Sequence, residues 1–160
     1  MDRREDICGP RATRVRGVVA AVGPDVDDVG VGDQVFALSD FDRDGAAAEY
    51  AIVASAFLAP KPRKLSHAES AAIPLAGLSA WQGLVVHGEL SEGQRLLVHG
   101  AAGGVGHLAV QLARARGAYV IGTASEGNLE AVRGFGADEV IDYASVRFED
   151  AVEDVDLVFD

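Results

Sequence analysis

The strongest chemical signal in the chain is a cluster of four glycines, Gly100, Gly103, Gly104 and Gly106. An apolar run at residues 96–98 precedes the cluster, and the pattern of an amphipathic helix follows it. The first N–H groups of a helix have no partner within the helix, and the helix dipole makes that end attractive to anions. Glycines let a ligand approach such a backbone closely because they have no side chain. The order strand, glycine turn, helix therefore predicts a phosphate-binding site.

The spacing of these glycines leaves a second interpretation open. The common dinucleotide-binding fingerprint is G-x-G-x-x-G, whereas this turn has the spacing Gly100-x-x-Gly103-x-x-Gly106 with Gly104 added. In the structural alternative, the glycines serve only to let the following helix pack closely on the strand.

The second half of the chain alternates between apolar runs and helical patterns, which predicts βαβ units in a parallel sheet. Right-handed crossovers would wind these units into half of a Rossmann fold. The predicted strands are residues 96–98, 118–123, 139–143 and 155–159, with a helix over 129–135 that ends near Gly136. The first predicted helix ends near Gly117 and buries one face, which consists of Val105, Leu108, Ala109, Leu112 and Ala113.

The first 65 residues have a different pattern of short strands and turns. Strands are predicted at residues 15–22, 34–38 and 48–53, and turns at 23–25, 30–33 and 40–45. The segment Pro60-Lys61-Pro62 predicts a stiff connector between the two parts.

A helical region is predicted to follow this connector. Ser66 and Glu69 have the S-x-x-E spacing of a capping box, which predicts the start of a helix. Pro74 is expected to interrupt that helix, and a second helix is expected over residues 78–86. Trp81 is expected to lie in the core.

Six motifs, in order along about residues 17–160, together resemble the medium-chain dehydrogenase/reductase superfamily. The resemblance is to its zinc-independent quinone oxidoreductase (zeta-crystallin-like) branch. The motifs are VGDQV at residues 31–35, AEY at 48–50, AAIPLAGLSAW at 71–81, AAGGVG at 101–106, GTAS at 122–125 and GADEVIDY at 136–143.

The resemblance implies an α/β fold in two parts. Residues 1–65 would form part of a GroES-like catalytic β domain. Residues 66–160 would form connecting helices and the first part of a Rossmann doubly wound parallel sheet. The resemblance also implies a fragment truncated at both ends. Residues 1–14 depart from the family's lead-in and are not expected to share its structure.

The resemblance further implies that the chain binds a nicotinamide cofactor. Ser79 would lie near the nicotinamide, although it could equally serve ordinary helix packing. The residues expected to contact the pyrophosphate are Ala102, Gly103, Gly104, Val105 and Gly106. The residues expected at the adenosine end are Ser125, Asn128 and Tyr143, of which Tyr143 could instead be a strand-end aromatic that covers the sheet.

The residues at the end of the second predicted strand favour NADPH over NADH. Relatives that prefer NAD carry an acid for the ribose hydroxyls at that position, where this chain has Ala124. Glu126 lies 126 − 106 = 20 residues beyond Gly106, and is interpreted as a solvated loop acid rather than the ribose partner. Many relatives carry a cation at the position of Gly127, so its absence makes the expected preference modest.

Composition excludes several other classes of protein. The formal charge of −11 and the lack of a basic block argue against nucleic acid and anionic membranes as partners. The single cysteine, Cys8, excludes an internal disulfide and favours a reducing, cytoplasmic location. One cysteine also cannot supply the zinc ligands of the zinc-using branch, so no metal site is predicted. The four histidines, His67, His87, His99 and His107, are interpreted as structural or surface residues.

Two function classes follow from the resemblance. The first is a zinc-independent oxidoreductase that transfers hydride from NADPH to a quinone or to an activated alkene or carbonyl, as a homodimer in the full-length parent. The alternative is a non-catalytic nucleotide-binding fragment left by truncation. The fragment alone is expected to be inactive, and its catalytic residues are unknown.

Overall fold

The computed structural model describes residues 14–39 and 46–160 of the chain. Cys8 and the turn expected at residues 40–45 lie outside the described residues, as does the segment 1–14 except for Arg14. The chain divides into two compact units, Met1–Leu75 and Ala76–Asp160. This division falls within a helix, whereas the sequence places the domain boundary between residues 65 and 66. That boundary stays a prediction.

The first unit contains a three-stranded antiparallel sheet with the order β1-β2-β3. Its strands are β1 (Arg14–Val18), β2 (Gln34–Leu38) and β3 (Leu58–Pro60). Val15 pairs with Ala37, and Phe36 pairs with Ala59. The strands expected at 15–22 and 34–38 are therefore confirmed, although the first is shorter than expected.

The strand predicted at residues 48–53 is wrong, because these residues form no strand. Tyr50 and Ile52 are 79% and 93% exposed, so the apolar alternation in this segment faces solvent within the described structure. Strand β3 occupies the edge position instead. The sequence pattern does not predict β3, because this strand has only three residues and ends in a proline. Edge strands tolerate proline.

The turn expected at residues 30–33 is confirmed. The N–H of Asp33 donates to the carbonyl of Gly30 at 3.1 Å, and Asp33 Oδ2 accepts the N–H of Gly30 at 2.8 Å. Val19 N–H donates to Asp33 O at 2.9 Å, which continues the pairing of β1 with β2 beyond the strand ends.

Helix α1 (His67–Trp81) begins at the predicted capping box. Ser66 N–H donates to Glu69 Oε2 at 2.8 Å, and Glu69 N–H donates to Ser66 Oγ at 3.2 Å. The interruption expected at Pro74 is wrong, because α1 continues through it into the π-helical segment Gln82–His87. Proline removes one helical hydrogen bond and costs about 3 kcal/mol, but tertiary packing can offset this cost, and Pro74 itself is buried.

The core position expected for Trp81 is also wrong. The continuous helix turns Ala80 and Leu84, four residues apart, fully inward, so that Trp81 faces outward with 42% of its surface exposed. The Arg116 guanidinium lies over its indole ring, 5.9 Å from the ring centroid.

The second unit contains a four-stranded parallel sheet with the order β6-β5-β4-β7. The strands are β4 (Arg95–Val98), β5 (Tyr119–Ala124), β6 (Glu139–Asp142) and β7 (Leu157–Phe159). In chain order they are third, second, first and fourth, which is the order of one Rossmann half plus the first strand beyond it. The predicted parallel α/β sheet is confirmed.

Three helices follow the strands of this sheet: α2 (Gly106–Ala115), α3 (Leu129–Gly134) and the short α4 (Phe148–Ala151). The expected face of α2 is confirmed, with Ala109 and Ala113 fully buried and the other three residues packed against the core. Both helix ends expected at glycines are found, since Gly117 and Gly136 follow α2 and α3 with φ of +80° and +106°.

Apolar side chains of the sheet alternate between two core clusters, as period-2 strands require. Leu97, Ile121 and Ile141 form a small cluster on one face, with Phe148, Val152 and Val155 packed against it. The larger cluster joins the sheet to α2 and α3, and its strand residues are Leu96, Val98, Val120 and Ala124. None of the helices that the structure describes is both long enough and apolar enough to cross a membrane.

Candidate nucleotide-binding site

The predicted contact residues of the second unit meet at the carboxyl edge of the parallel sheet. The glycine turn follows β4, Ser125 follows β5 and Tyr143 follows β6. Ala101 N–H donates to Thr123 O at 2.9 Å, and Tyr143 N–H donates to Ala124 O at 3.3 Å. These bonds hold the three strand ends side by side. Ligands of open parallel sheets bind in the crevice outside this edge.

Ser79 lies elsewhere, on helix α1, and its side chain is exposed. Its neighbour Ala80 is fully buried, so the two residues occupy different sides of the helix. The role of Ser79 beside the nicotinamide stays a prediction.

Gly100 and Gly106 shape the turn between β4 and α2. Gly100 has φ of +57°, in the left-handed region that favours glycine, and its carbonyl accepts the N–H of Gly103 at 2.8 Å. A Cβ added to Gly106 would lie 2.2 Å from Gly100 O and 2.9 Å from Ala101 Cα. The start of α2 can approach the turn this closely only if residue 106 has no side chain.

Gly104 has a different role, because it faces open space. A Cβ added there would meet nothing within 4 Å, and both Gly103 and Gly104 are exposed. Within residues 14–39 and 46–160, no acceptor binds the N–H of Gly104 or of Val105. An open surface with unpartnered N–H groups is what a pyrophosphate needs, so the residues present fit the adenosine diphosphate part of a dinucleotide.

The N-terminus of α2 adds to this anion-binding character. The helix has ten residues, and its N-cap, Val105, makes no side-chain capping hydrogen bond. A side-chain cap normally satisfies one of the free N–H groups of the first turn. Because α2 lacks one, the positive end of its dipole remains accessible to an anion.

His107 holds the turn from the helix side. Its ring Nδ1 lies 2.8 Å from Gly103 O and its backbone N–H donates to the same oxygen at 3.1 Å. A carbonyl oxygen only accepts, so Nδ1 carries the hydrogen. The C=O and N–H of a trans peptide point in opposite directions, so this pinned carbonyl directs Gly104 N–H away from the helix. The structural role predicted for His107 agrees with these contacts.

Ser125 and Asn128 form a polar pair beside the turn that begins α3. Asn128 Nδ2 donates to Ser125 Oγ at 2.9 Å, and Asn128 N–H donates to Ser125 O at the same distance. Because Ser125 Oγ accepts from Asn128, its own hydrogen is directed elsewhere and can be donated to a ligand. Tyr143 is 59% exposed, which does not fit the alternative that it covers the sheet.

Two carboxylates lie near the end of β5, and the interpretation of Glu126 as a solvated loop acid stays a prediction. Glu126 is exposed at the start of a short 3-10 turn, as expected for a solvated loop acid. Asp142 holds the turn after β6, since Ser145 Oγ donates to its Oδ2 at 2.5 Å and Ala144 N–H donates to its Oδ1 at 3.0 Å. Ala124 itself is buried, and its methyl side chain offers no acceptor.

A charged cluster lies at the opposite, amino edge of the same sheet. The Tyr119 hydroxyl donates to Glu139 Oε1 at 2.6 Å, and this hydrogen bond raises the pKa of Tyr119. The Arg95 guanidinium stacks on the Tyr119 ring at 4.7 Å, and Arg95 N–H donates to Asp156 Oδ2 at 2.8 Å. These contacts join β4, β5 and β6 to one another and to Asp156, the residue just before β7, so the cluster supports the sheet on the side away from the glycine turn.

Sequence reasoning missed the part played by Thr123. Its side chain is buried, and its Oγ1 accepts the N–H of Gly100 at 3.2 Å. The only sequence signal is an aliphatic hydroxyl within an otherwise apolar run, residues 120–124, two residues before Ser125.

The described part of the chain, residues 14–39 and 46–160, contains no group of three or more His, Cys, Asp or Glu side chains that could hold a metal ion. His67 begins α1, and the His99 ring packs edge-on against Phe148 with 4.6 Å between centroids. Cys8 lies outside the described residues, so zinc independence stays a prediction.

The chain is similar in sequence to known dehydrogenases and oxidoreductases. Residues 104–160 match the family model described as zinc-binding dehydrogenase. Over 154 residues the chain is 42% identical to 2-methylene-furan-3-one reductase of Solanum lycopersicum. It is 44% identical, also over 154 residues, to the chloroplastic NADPH-dependent alkenal/one oxidoreductase of Arabidopsis thaliana. Both alignments cover 91% of this chain, but only 39% and 40% of the two relatives.

The similarity extends to solved structures. The quinone oxidoreductase from Coxiella burnetii matches with a TM-score of 0.80 and 39% identity, over 91% of this chain and 46% of that chain. The chain thus spans less than half the length of each of these three proteins. The two sheets correspond to part of a GroES-like β domain and part of a Rossmann domain. These findings support the resemblance of the chain to the quinone-oxidoreductase-like branch of the medium-chain dehydrogenase/reductase superfamily.

Proposed function

We propose that the chain carries the nucleotide-binding part of an NADPH-dependent, zinc-independent oxidoreductase that acts on a quinone or an activated alkene or carbonyl. The observation that carries this proposal is the open turn at Gly104, whose N–H has no acceptor in the described chain. Relatives named as quinone oxidoreductase and as NADPH-dependent alkenal/one oxidoreductase support the same reaction class.

Backbone groups of the turn would hold the pyrophosphate. Gly104 and Val105 would donate their N–H groups, and the dipole of α2 would stabilise the negative charge. Ala102, Gly103 and Gly106 would shape the surface. Charge-assisted hydrogen bonds of this kind are about twice as strong as neutral ones, which suits a doubly charged pyrophosphate.

The end of β5 would hold the adenosine end of NADPH. Ser125 has a hydroxyl hydrogen to donate to a 2′-phosphate, Asn128 fixes that hydroxyl, and the exposed ring of Tyr143 lies beyond the next strand. Ala124 gives the ribose 2′-hydroxyl of NADH no carboxylate to bind. NADPH is therefore preferred over NADH, but modestly, because Gly127 supplies no cation for the 2′-phosphate.

The nicotinamide, when bound, supplies the hydride, and the chain's own residues bind and orient the cofactor. Hydride transfer needs the donor and acceptor carbons within about 3–3.5 Å in a fixed orientation. Ser79 is the residue of this chain proposed near the nicotinamide. The substrate of the full-length enzyme would be a small quinone or enone-like molecule. That enzyme is proposed to be a cytoplasmic homodimer.

A second candidate function is nucleotide binding without turnover. It is favoured by the sheet edge, where the predicted contact residues of the pyrophosphate and the adenosine meet, whereas Ser79 lies elsewhere. The two candidates share the adenosine site and differ only in whether the nicotinamide is held firmly enough to react.

Titration calorimetry of the 160-residue chain with NADPH, NADH and 2′,5′-ADP tests the shared part of the proposal. We expect weak binding of 2′,5′-ADP and tighter binding of NADPH than of NADH. Absence of all binding would contradict the proposal, and tighter binding of NADH would point to Glu126 as a ribose partner. An assay with NADPH and a simple quinone separates the two candidates, and we expect negligible turnover from this chain alone.

A further inference from the structure

We propose that Thr123 is a positioning residue that locks the glycine turn to the end of β5. This inference rests on the proposed function, because it concerns how the two halves of the nucleotide site are held relative to each other. Thr123 itself is buried and does not face the ligand.

Three consecutive residues at the end of β4 contact Thr123. Ala101 N–H donates to its carbonyl oxygen at 2.9 Å, and Gly100 N–H donates to its Oγ1 at 3.2 Å. The His99 ring nitrogen Nδ1 lies 3.3 Å from the same Oγ1. The main chain of Thr123 continues the strand pairing, and its side chain holds the residue at which the chain turns out of the sheet.

The hydroxyl of Thr123 has one hydrogen and two acceptor lone pairs. Oγ1 accepts the N–H of Gly100, and its other polar contact is His99 Nδ1. Both polar contacts of the hydroxyl are made within the protein, so Thr123 acts through the turn and not on the ligand.

Gly100 is the residue whose position matters most for the turn. Its carbonyl accepts Gly103 N–H at 2.8 Å and also lies where a Cβ of Gly106 would clash. The Gly100 carbonyl shares its peptide with Ala101 N–H, which donates to Thr123 O, and Thr123 Oγ1 holds the preceding peptide through Gly100 N–H. The two contacts with Thr123 together fix the carbonyl against which both Gly103 and Gly106 are placed. Gly103, placed in this way, carries the carbonyl that His107 holds and that directs Gly104 N–H.

Thr123 also lies two residues before Ser125 on the same strand end. It therefore couples the pyrophosphate-binding turn to the residue proposed for the 2′-phosphate. A ligand that carries both phosphates depends on the spacing between these two places, whereas a ligand that carries only the 2′-phosphate does not.

The variants Thr123→Val and Thr123→Ser test this inference on the 160-residue chain. Valine keeps the shape and removes the hydroxyl, and serine keeps the hydroxyl. We expect Thr123→Val to weaken 2′,5′-ADP binding about three- to tenfold, the range for one lost hydrogen bond. Binding of 2′-AMP should change by less than about twofold, and Thr123→Ser should bind both ligands like the parent chain. Equal losses for both ligands, or no loss for 2′,5′-ADP, would overturn the inference.

A second readout does not depend on nucleotide binding. Amide resonances of Gly100, Gly103 and Gly104 should shift in Thr123→Val and stay in place in Thr123→Ser, and the ring nitrogen resonances of His99 should shift only in Thr123→Val. If the parent chain binds no nucleotide but these resonances shift as expected, the proposed function fails and the positioning role stands. If the turn resonances do not move, the positioning role is wrong.

Discussion

Gly106 and Gly100 approach each other so closely that a Cβ on Gly106 would lie 2.2 Å from the carbonyl oxygen of Gly100. Real Cβ atoms do not come this near to backbone, so α2 would have to move away from the turn. A Cβ added to Gly104, two residues earlier in the chain, would have nothing within 4 Å. Gly106 therefore has a structural role in the turn, whereas Gly104 has no such role and is proposed to contact the ligand.

Replacement of each glycine by alanine should separate these purposes. We expect Gly106→Ala to lower the free energy of unfolding by about 1–3 kcal/mol or more, as overpacking against backbone does. Gly104→Ala should change it by about 0.5 kcal/mol or less, as surface substitutions do. Urea denaturation followed by circular dichroism measures both values, and equal stabilities of the two variants would contradict the assignment.

The ligand role of Gly104 is tested by a larger side chain. Gly104→Val should abolish 2′,5′-ADP binding, because a branched side chain would occupy the space that the phosphate must enter. Gly134→Val is the matched control, since Gly134 ends α3 and also has nothing within 4 Å of its added Cβ. Calorimetry should find normal binding in the control. If both variants bind 2′,5′-ADP like the parent chain, the phosphate does not lie on this turn.

The modest preference for NADPH should be open to improvement at residue 127. Gly127 is exposed, and an added Cβ would meet nothing within 4 Å. We expect Gly127→Arg to raise the affinity for NADPH relative to NADH by about tenfold, through a charge-assisted hydrogen bond to the 2′-phosphate. The gain should shrink in high salt, and Gly127→Gln should lack it. An equal gain for NADH would mean that residue 127 does not approach the 2′-phosphate.

The chain should contain no stoichiometric zinc. No metal-binding group exists within residues 14–39 and 46–160, and the whole sequence has one cysteine. Elemental analysis after dialysis against metal-free buffer should give far less than one zinc per chain. A ratio near one would reject the zinc-independent assignment, even though the matched family model is named for zinc-binding dehydrogenases.

Stability at acid pH should depend on the capping box of α1. The pKa of Glu69 lies below its usual value, first because Ser66 N–H donates to its carboxylate and then because of the Ser66 hydroxyl. A lowered pKa in the folded state means that this contribution is complete above the ordinary value of 4.5 and is lost as the pH falls below it. Glu69→Gln keeps an acceptor that does not titrate.

The comparison of the parent chain with Glu69→Gln should therefore depend on pH. The free energy of unfolding of the parent should exceed that of the variant at pH 6, and the difference should shrink or reverse by about pH 3. Urea denaturation at both pH values gives this difference. A difference that stays constant would show that Glu69 does not titrate differently in the folded state.

Local signals in the sequence determined the glycine turn of the candidate site and several helix ends. The glycine turn, the following helix with its buried alanines, the capping box at Ser66 and the helix-ending glycines Gly117 and Gly136 were all predicted. Each depends on contacts within a few residues, on helical periodicity or on a backbone angle that favours glycine. Such features are visible in the chain before it folds.

Tertiary structure decided the features that depend on distant partners. Helix α1 continues through Pro74 because tertiary packing offsets one lost hydrogen bond. In the continuous helix Ala80 and Leu84 face the core, so Trp81 faces outward. The apolar segment at 48–53 makes no strand, whereas the three-residue β3 does, because strand formation requires a partner in register. Thr123 reaches Gly100 across 23 residues of sequence, and only the parallel pairing of β4 with β5 brings the two together.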